Sequence, residues 1–147
     1  MRDAVALAQL DGREVRVNVP ADLPPILVDA GLIVQALGTL LGNAAAYSPA
    51  GALIEVSAVR VESALVFSVA DRGAGLGPGE EVKVFEKFYR GLGKPAGGIG
   101  LGLSIARQLV EAHGGTITAR NRAEGGARFS IRLPLGETMK LPVEATA

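Results

Sequence analysis

Asp29-Ala-Gly-Leu-Ile-Val-Gln-Ala-Leu-Gly-Thr-Leu-Leu-Gly-Asn-Ala-Ala-Ala-Tyr-Ser-Pro49 is the stretch that decides how this chain folds. Asp29 suits the N-cap of a helix, because its carboxylate can accept the unpaired N–H groups of a first turn. Ile33, Leu37, Leu40, Leu41 and Ala44 then recur at helical spacing until Ser48-Pro49 ends the run. One face of this helix therefore belongs in a core. Thr39, Asn43 and Tyr47 stand four residues apart, so they share a second, polar face.

On the N-terminal side, Glu14-Val-Arg-Val-Asn-Val19 alternates polar and apolar residues and reads as a half-buried strand, followed by the rigid connector Asp22-Leu-Pro-Pro25. On the C-terminal side, Leu53 to Arg60 and Ala64 to Ala70 alternate β-branched residues around Glu62-Ser63 and predict a hairpin. Between Asp71 and Gly102 glycines and charged residues dominate, broken only by Val82-Lys-Val-Phe-Glu-Lys-Phe-Tyr89. A loop of that length inside a compact domain is usually functional or disordered. Leu101, Ile105, Leu109 and Ala112 restore helical periodicity up to His113, with Gly114-Gly115 as the stop. Thr116 to Ala119 and Ala127 to Leu133 are two further strands joined through Glu124-Gly-Gly126. This order predicts a two-layer α/β sandwich, with helices on one face of a mixed sheet and the long loop at one end. The domain is expected over residues 1–134, with 135–147 a loose tail.

Fifteen basic and fifteen acidic residues cancel, so nothing in the overall charge points to a nucleic-acid or polyanionic membrane partner. A bound phosphate must be met locally. The absence of cysteine excludes disulfides, thiolate zinc sites and cysteine nucleophiles, and one histidine leaves little for metal chemistry. No apolar run reaches the roughly 20 residues of a membrane span, and no signal-peptide cleavage site follows Met1. The expectation is a soluble, cytoplasmic domain without membrane contact of its own, compatible with an inner-membrane anchor elsewhere in a longer parent.

Three places carry chemistry. Asn43 offers a neutral oxygen that suits Mg²⁺, although an Asn on a helix is as readily a solvated residue. Asp71-Arg-Gly-Ala-Gly75 ends a strand with a carboxylate able to accept a hydrogen bond from the exocyclic amine of adenine, beside glycines that admit the base; the same five residues also read as a simple turn. Gly97-Gly-Ile-Gly-Leu-Gly102 runs into a helix whose N-terminus can receive phosphate, or serves as a hinge.

Order and spacing change the weights. Leu40-Leu-Gly-Asn-Ala-Ala-Ala-Tyr-Ser48, Asp71-Arg-Gly-Ala-Gly75, Phe85-Glu-Lys-Phe-Tyr-Arg90 and Gly98-Ile-Gly-Leu-Gly-Leu-Ser104 closely resemble, in order, the N, G1, F and G2 boxes of bacterial two-component sensor histidine kinases. The resemblance covers about residues 14 to 134, and His113 to Phe129 looks most like the potassium-responsive members of that family. It implies the GHKL (Bergerat-type) ATP-binding fold with an ATP lid between Gly75 and Gly98. By that resemblance Asn43 would hold Mg²⁺, Tyr47 would stack near adenine, and Asp71 would read its amine. Gly73 and Gly75 would shape the base pocket, while Gly98, Gly100, Leu101 and Gly102 would meet the phosphates. Phe85 and Phe88 would seat the lid, and Lys87, Arg90 or Lys94 would approach the γ-phosphate or remain solvated. Catalysis would then rest on Asn43, Thr39 and Arg90. Two departures stand out: Thr39 replaces a common Asn, and Ala46 replaces a common Lys or Arg. A threonine hydroxyl can still donate or accept one hydrogen bond, but the missing cation at position 46 removes a phosphate contact and implies modest nucleotide affinity.

The implied activity is transfer of the γ-phosphoryl of Mg-ATP to a histidine on a separate dimerisation domain, and thence to a response regulator. An ATP-hydrolysing clamp would need a Glu where Thr39 stands. An anti-sigma-factor serine kinase has similar length but lacks the Phe-Glu-Lys-Phe-Tyr-Arg lid motif, and a non-catalytic nucleotide-binding module has less need of every glycine box.

Overall fold

The structure, a computed structural model, describes residues 14–23, 28–87 and 102–135. Within these residues, β1 (Val15–Asn18), α1 (Ala30–Tyr47), β2 (Ile54–Val61), β3 (Ala64–Ala70), α2 (Glu80–Lys83), α3 (Gly102–Ala112), β4 (Thr116–Asn121) and β5 (Ala127–Pro134) follow one another. The strands form one sheet in the order β1-β2-β3-β5-β4. Only β1 and β2 run parallel, and α1 is the crossover between them. The remaining pairs are antiparallel, so the sheet is mixed as expected.

Alternation along the strands sends Ile54 and Val56 of β2, Val69 of β3, Ile117 and Ala119 of β4, and Phe129, Ile131 and Leu133 of β5 to one buried face. Against them lie Ile33, Ala36, Leu37, Leu40, Leu41 and Ala44 of α1. By length and composition α1 would also pass for a membrane span, but this stripe is the centre of the core. Its start is as predicted: Asp29 accepts from the Leu32 N–H at 3.1 Å.

Local differences from the sequence reading have physical causes. β1 is a short edge strand on which Val17 remains exposed, as does Val19 just beyond it, because alternation alone does not say whether anything covers an edge. In α3 the buried residues are Ser104, Ala106 and Val110, whereas Ile105 and Ala112 face outward. Leu103 and Leu109 pack at the margin of the core, and Leu101 lies outside the described residues. The helix was right, but its face is rotated. β4 runs on past Ala119 to Asn121, and Leu135, expected to begin the tail, is buried and donates its N–H to Ser63 O at 2.8 Å.

α3 ends as Gly114-Gly115 foretold. Gly114 has φ +77°, and the Gly115 N–H reaches back to Val110 O at 3.0 Å, a glycine-terminated C-cap. His113 sits at this end with both ring nitrogens engaged. Nδ1 donates to Leu109 O at 2.7 Å, and Nε2 accepts the Asp29 N–H at 3.1 Å. The ring therefore ties the end of α3 to the start of α1. Replacing His113 by Ala is expected to lower stability by about 1–2 kcal/mol, read from urea unfolding.

On the opposite face of the sheet, Glu55 meets Arg72 at 3.2 Å, Arg16 at 3.9 Å and Arg122 at 4.0 Å. The Arg72 hydrogen bond holds the Glu55 carboxyl below the usual carboxylate value; partial burial opposes it, and the charges of Arg72, Arg16 and Arg122 assist it. Its small stabilising contribution is present above that usual value and is lost as pH falls through the lowered one.

Candidate functional site

The polar face of α1 is half-buried at Thr39, Asn43 and Tyr47. Eight residues separate its ends, roughly 12 Å along the axis. Each end is met by a glycine from a different loop. At the C-terminal end Gly73 is packed so tightly on the Tyr47 carbonyl that a Cβ would overlap it. At the other end a Cβ on Gly102 would stand 3.3 Å from Thr39 Cγ2, so the first residue of α3 lies beside Thr39. The start of α3 brings the positive end of the helix dipole to this point. Asn43 lies midway.

Asp71 follows β3 and is buried, with 4% of its surface exposed. Its backbone N–H donates to Ala127 O at 2.9 Å, and its Oδ1 accepts from the Ala127 N–H at 3.1 Å and the Gly73 N–H at 2.9 Å. Among the described residues no donor reaches Oδ2. The carboxylate is therefore held by one oxygen and can offer the other. Gly75 has φ +83°, a conformation that disfavours a side chain, and the loop then enters the core at Leu76.

A family description, "Histidine kinase-, DNA gyrase B-, and HSP90-like ATPase", matches residues 28–137, which include the helix face and the Asp71 loop. The chain belongs to this ATPase family. Among its relatives, the sensor protein KdpD of Escherichia coli strain K12 is 46% identical over 121 residues, 82% of this chain but 14% of KdpD. The chain thus spans about one seventh of that relative. The structure of the mycobacterial sensor histidine kinase MprB superposes with a TM-score of 0.79 at 29% identity, covering 90% of this chain and 91% of that one. Full-length ShkA in complex with AMPPNP gives a TM-score of 0.76 at 30% identity, covering 90% of this chain and 28% of that one. The fold is that of histidine kinase catalytic domains, and the chain is an ATP-binding domain of that type.

The site residues expected from the sequence divide into three groups. Thr39, Asn43 and Tyr47 share the α1 face, with Gly73 and Gly102 against its ends; Asp71 and Gly75 lie on the loop that carries Gly73. Lys87 is exposed, two residues after Phe85, which is buried edge-on against Phe129 at a centroid distance of 6.2 Å. Phe88, Arg90, Lys94, Gly98, Gly100 and Leu101 lie outside the described residues. A groove of about 440 Å³ lined by Gly31, Val34, Gln35, Gly38 and Thr39 continues along α1 toward its start and touches the predicted site only at Thr39. The sequence reading missed Asn121 and Arg122, which bond to the Asp71–Leu76 loop from 45 and 51 residues away. No local pattern marks such partners.

Proposed function

We propose that this domain binds Mg-ATP along the α1 face and presents the γ-phosphoryl group to a histidine on a separate dimerisation domain, from which it passes to a response regulator. The observation that supports the reading is the helix face itself: a base-reading end at Tyr47, Gly73 and Asp71, a phosphate end at Thr39 and Gly102, and Asn43 between them. Asp71 Oδ2 accepts the adenine amine, and guanine, with a carbonyl at the equivalent position, is repelled. Tyr47 flanks the base. Gly98, Gly100, Leu101 and Gly102 receive the phosphates at the start of α3.

Asn43 fits Mg²⁺ by the chemistry of its amide oxygen and would hold it together with phosphate oxygens. Among the described residues no group of three His, Asp or Glu side chains is placed to hold a metal alone. When bound, the ion supplies charge neutralisation along the phosphates. The protein's part is positioning, with Lys87 and Arg90 as the lid cations that follow the buried Phe85 anchor in sequence. Thr39 Oγ1 donates to Gln35 O at 3.2 Å and supplies no base for water, which favours transfer to an acceptor over hydrolysis. The domain works in the cytoplasm of a parent kinase.

His113 is not the acceptor. It follows the eleven-residue α3, roughly 17 Å from the phosphate end, and in-line transfer needs about 3–3.5 Å. Incubation with γ-labelled ATP is expected to leave the chain alone unlabelled and to label an added, separately purified dimerisation domain through its histidine. Label on His113 of the chain by itself would overturn this reading.

A further inference from the structure

We propose that Asn121 is a positioning residue for the nucleotide site: from the end of β4 its side-chain amide grips both polar groups of Leu76 and thereby sets the loop that carries Asp71. The proposal rests on the reading of Asp71 to Gly75 as the base pocket. Asn121 Oδ1 accepts the Leu76 N–H at 2.6 Å, and Nδ2 donates to Leu76 O at 3.0 Å. A carboxylate has no donor for the second bond and a hydroxyl cannot span both groups, so a primary amide suits this pairing. Gly75 is fitted to the same amide, because a Cβ on it would stand 2.6 Å from Asn121 Oδ1.

The next residue secures the other end of the loop. Arg122, with 7% of its side chain exposed, directs Nη1 to Gly125 O at 2.7 Å and to Asp71 O at 3.4 Å. Two consecutive residues therefore bracket the loop, Asn121 at its exit and Arg122 at its entrance. Immediately beyond the exit, the Gly77 N–H donates to Glu80 Oε1 at 2.7 Å, which fixes the chain again where it enters α2. With Leu76 released, the loop can slide relative to α1 and carry Asp71 Oδ2 away from the base. Misplacement of a recognition group by about 1 Å is enough to cost substantial binding.

Asn121 acts through Leu76 and Gly75, so its loss should appear in affinity and base discrimination and not in the rate at saturation. Calorimetry with ATP and with GTP, on the wild type, Asn121→Ala, Asn121→Asp and Asp71→Asn, is the test, with thermal midpoints recorded for each. Both Asn121 variants are expected to bind ATP about tenfold more weakly and to narrow the preference for ATP over GTP. In labelling of an added dimerisation domain their KM for ATP rises while kcat holds. Unchanged ATP affinity in the Asn121 variants, with Asp71→Asn weakened, overturns the positioning role alone. Equal loss of both nucleotides in step with a fallen thermal midpoint overturns it too, since that is the mark of a merely structural residue. Unchanged ATP affinity in Asp71→Asn removes the base-pocket reading and this proposal with it. Should the variants fail to fold, hydrogen exchange on the wild-type chain decides: a slow Leu76 amide without nucleotide supports the clamp, and a fast one in the folded protein overturns it.

Discussion

Asp71→Asn is expected to weaken ATP binding by about 1.5–3 kcal/mol, roughly ten- to a hundredfold in Kd. The size follows from how the carboxylate is held. Gly73 and Ala127 both donate backbone N–H groups to Oδ1, and that demand remains in the variant. If the Asn keeps its oxygen there, its NH₂ stands where Oδ2 stood and confronts the adenine amine, donor against donor. If the amide flips, the clash moves inside, against the two backbone N–H groups. Either arrangement loses a charge-assisted hydrogen bond. The first also turns a donor toward the carbonyl of guanine, so the preference for ATP over GTP should shrink. Calorimetry with both nucleotides measures each effect, and wild-type affinity for ATP in the variant would show that adenine is read elsewhere.

Gly126→Ala should be the most damaging substitution to the fold around the site. Gly126 has φ +86°, and a Cβ there would overlap the Asp71 carbonyl and stand 3.0 Å from Arg72 Cα. Left-handed backbone costs about 1–2 kcal/mol in a residue with a side chain, and overpacking against backbone about 1–3 kcal/mol more. The expected loss is about 2–5 kcal/mol, a large share of the 5–15 kcal/mol typical of a domain. Gly125 is the internal control. It has φ +105° but nothing within 4 Å of its would-be Cβ, so Gly125→Ala should lose only about 1–2 kcal/mol. Urea unfolding compares the two, and equal losses would mean that the approach of Gly126 to Asp71 contributes nothing.

Much of the architecture was readable residue by residue. The Asp29 cap, the Ile33–Ala44 stripe, the hairpin about Glu62-Ser63 and the Gly114-Gly115 stop each depend on partners a few positions away, and each is found where periodicity placed it. The rotation of α3 was not readable, because two apolar stripes lie side by side on it. Ile105 and Leu109 are the bulkier choice, but the described packing buries Ala106 and Val110. Hydrophobicity says that a stripe exists; the neighbouring surface selects which one.

The sequence by itself determined the order of the elements, the caps that begin and end them, and the four ordered boxes that mark a nucleotide site, since all of these are written in short-range spacing. Tertiary structure alone decided which oxygen of Asp71 is taken, that Gly102 abuts Thr39, that Asn121 grips Leu76, and that His113 is tied to Asp29, 84 residues away. These depend on groups brought together only when the sheet and its helices close on one core. A hydrogen bond between distant residues leaves no period in the chain, so its partners become visible only once the fold has made them neighbours.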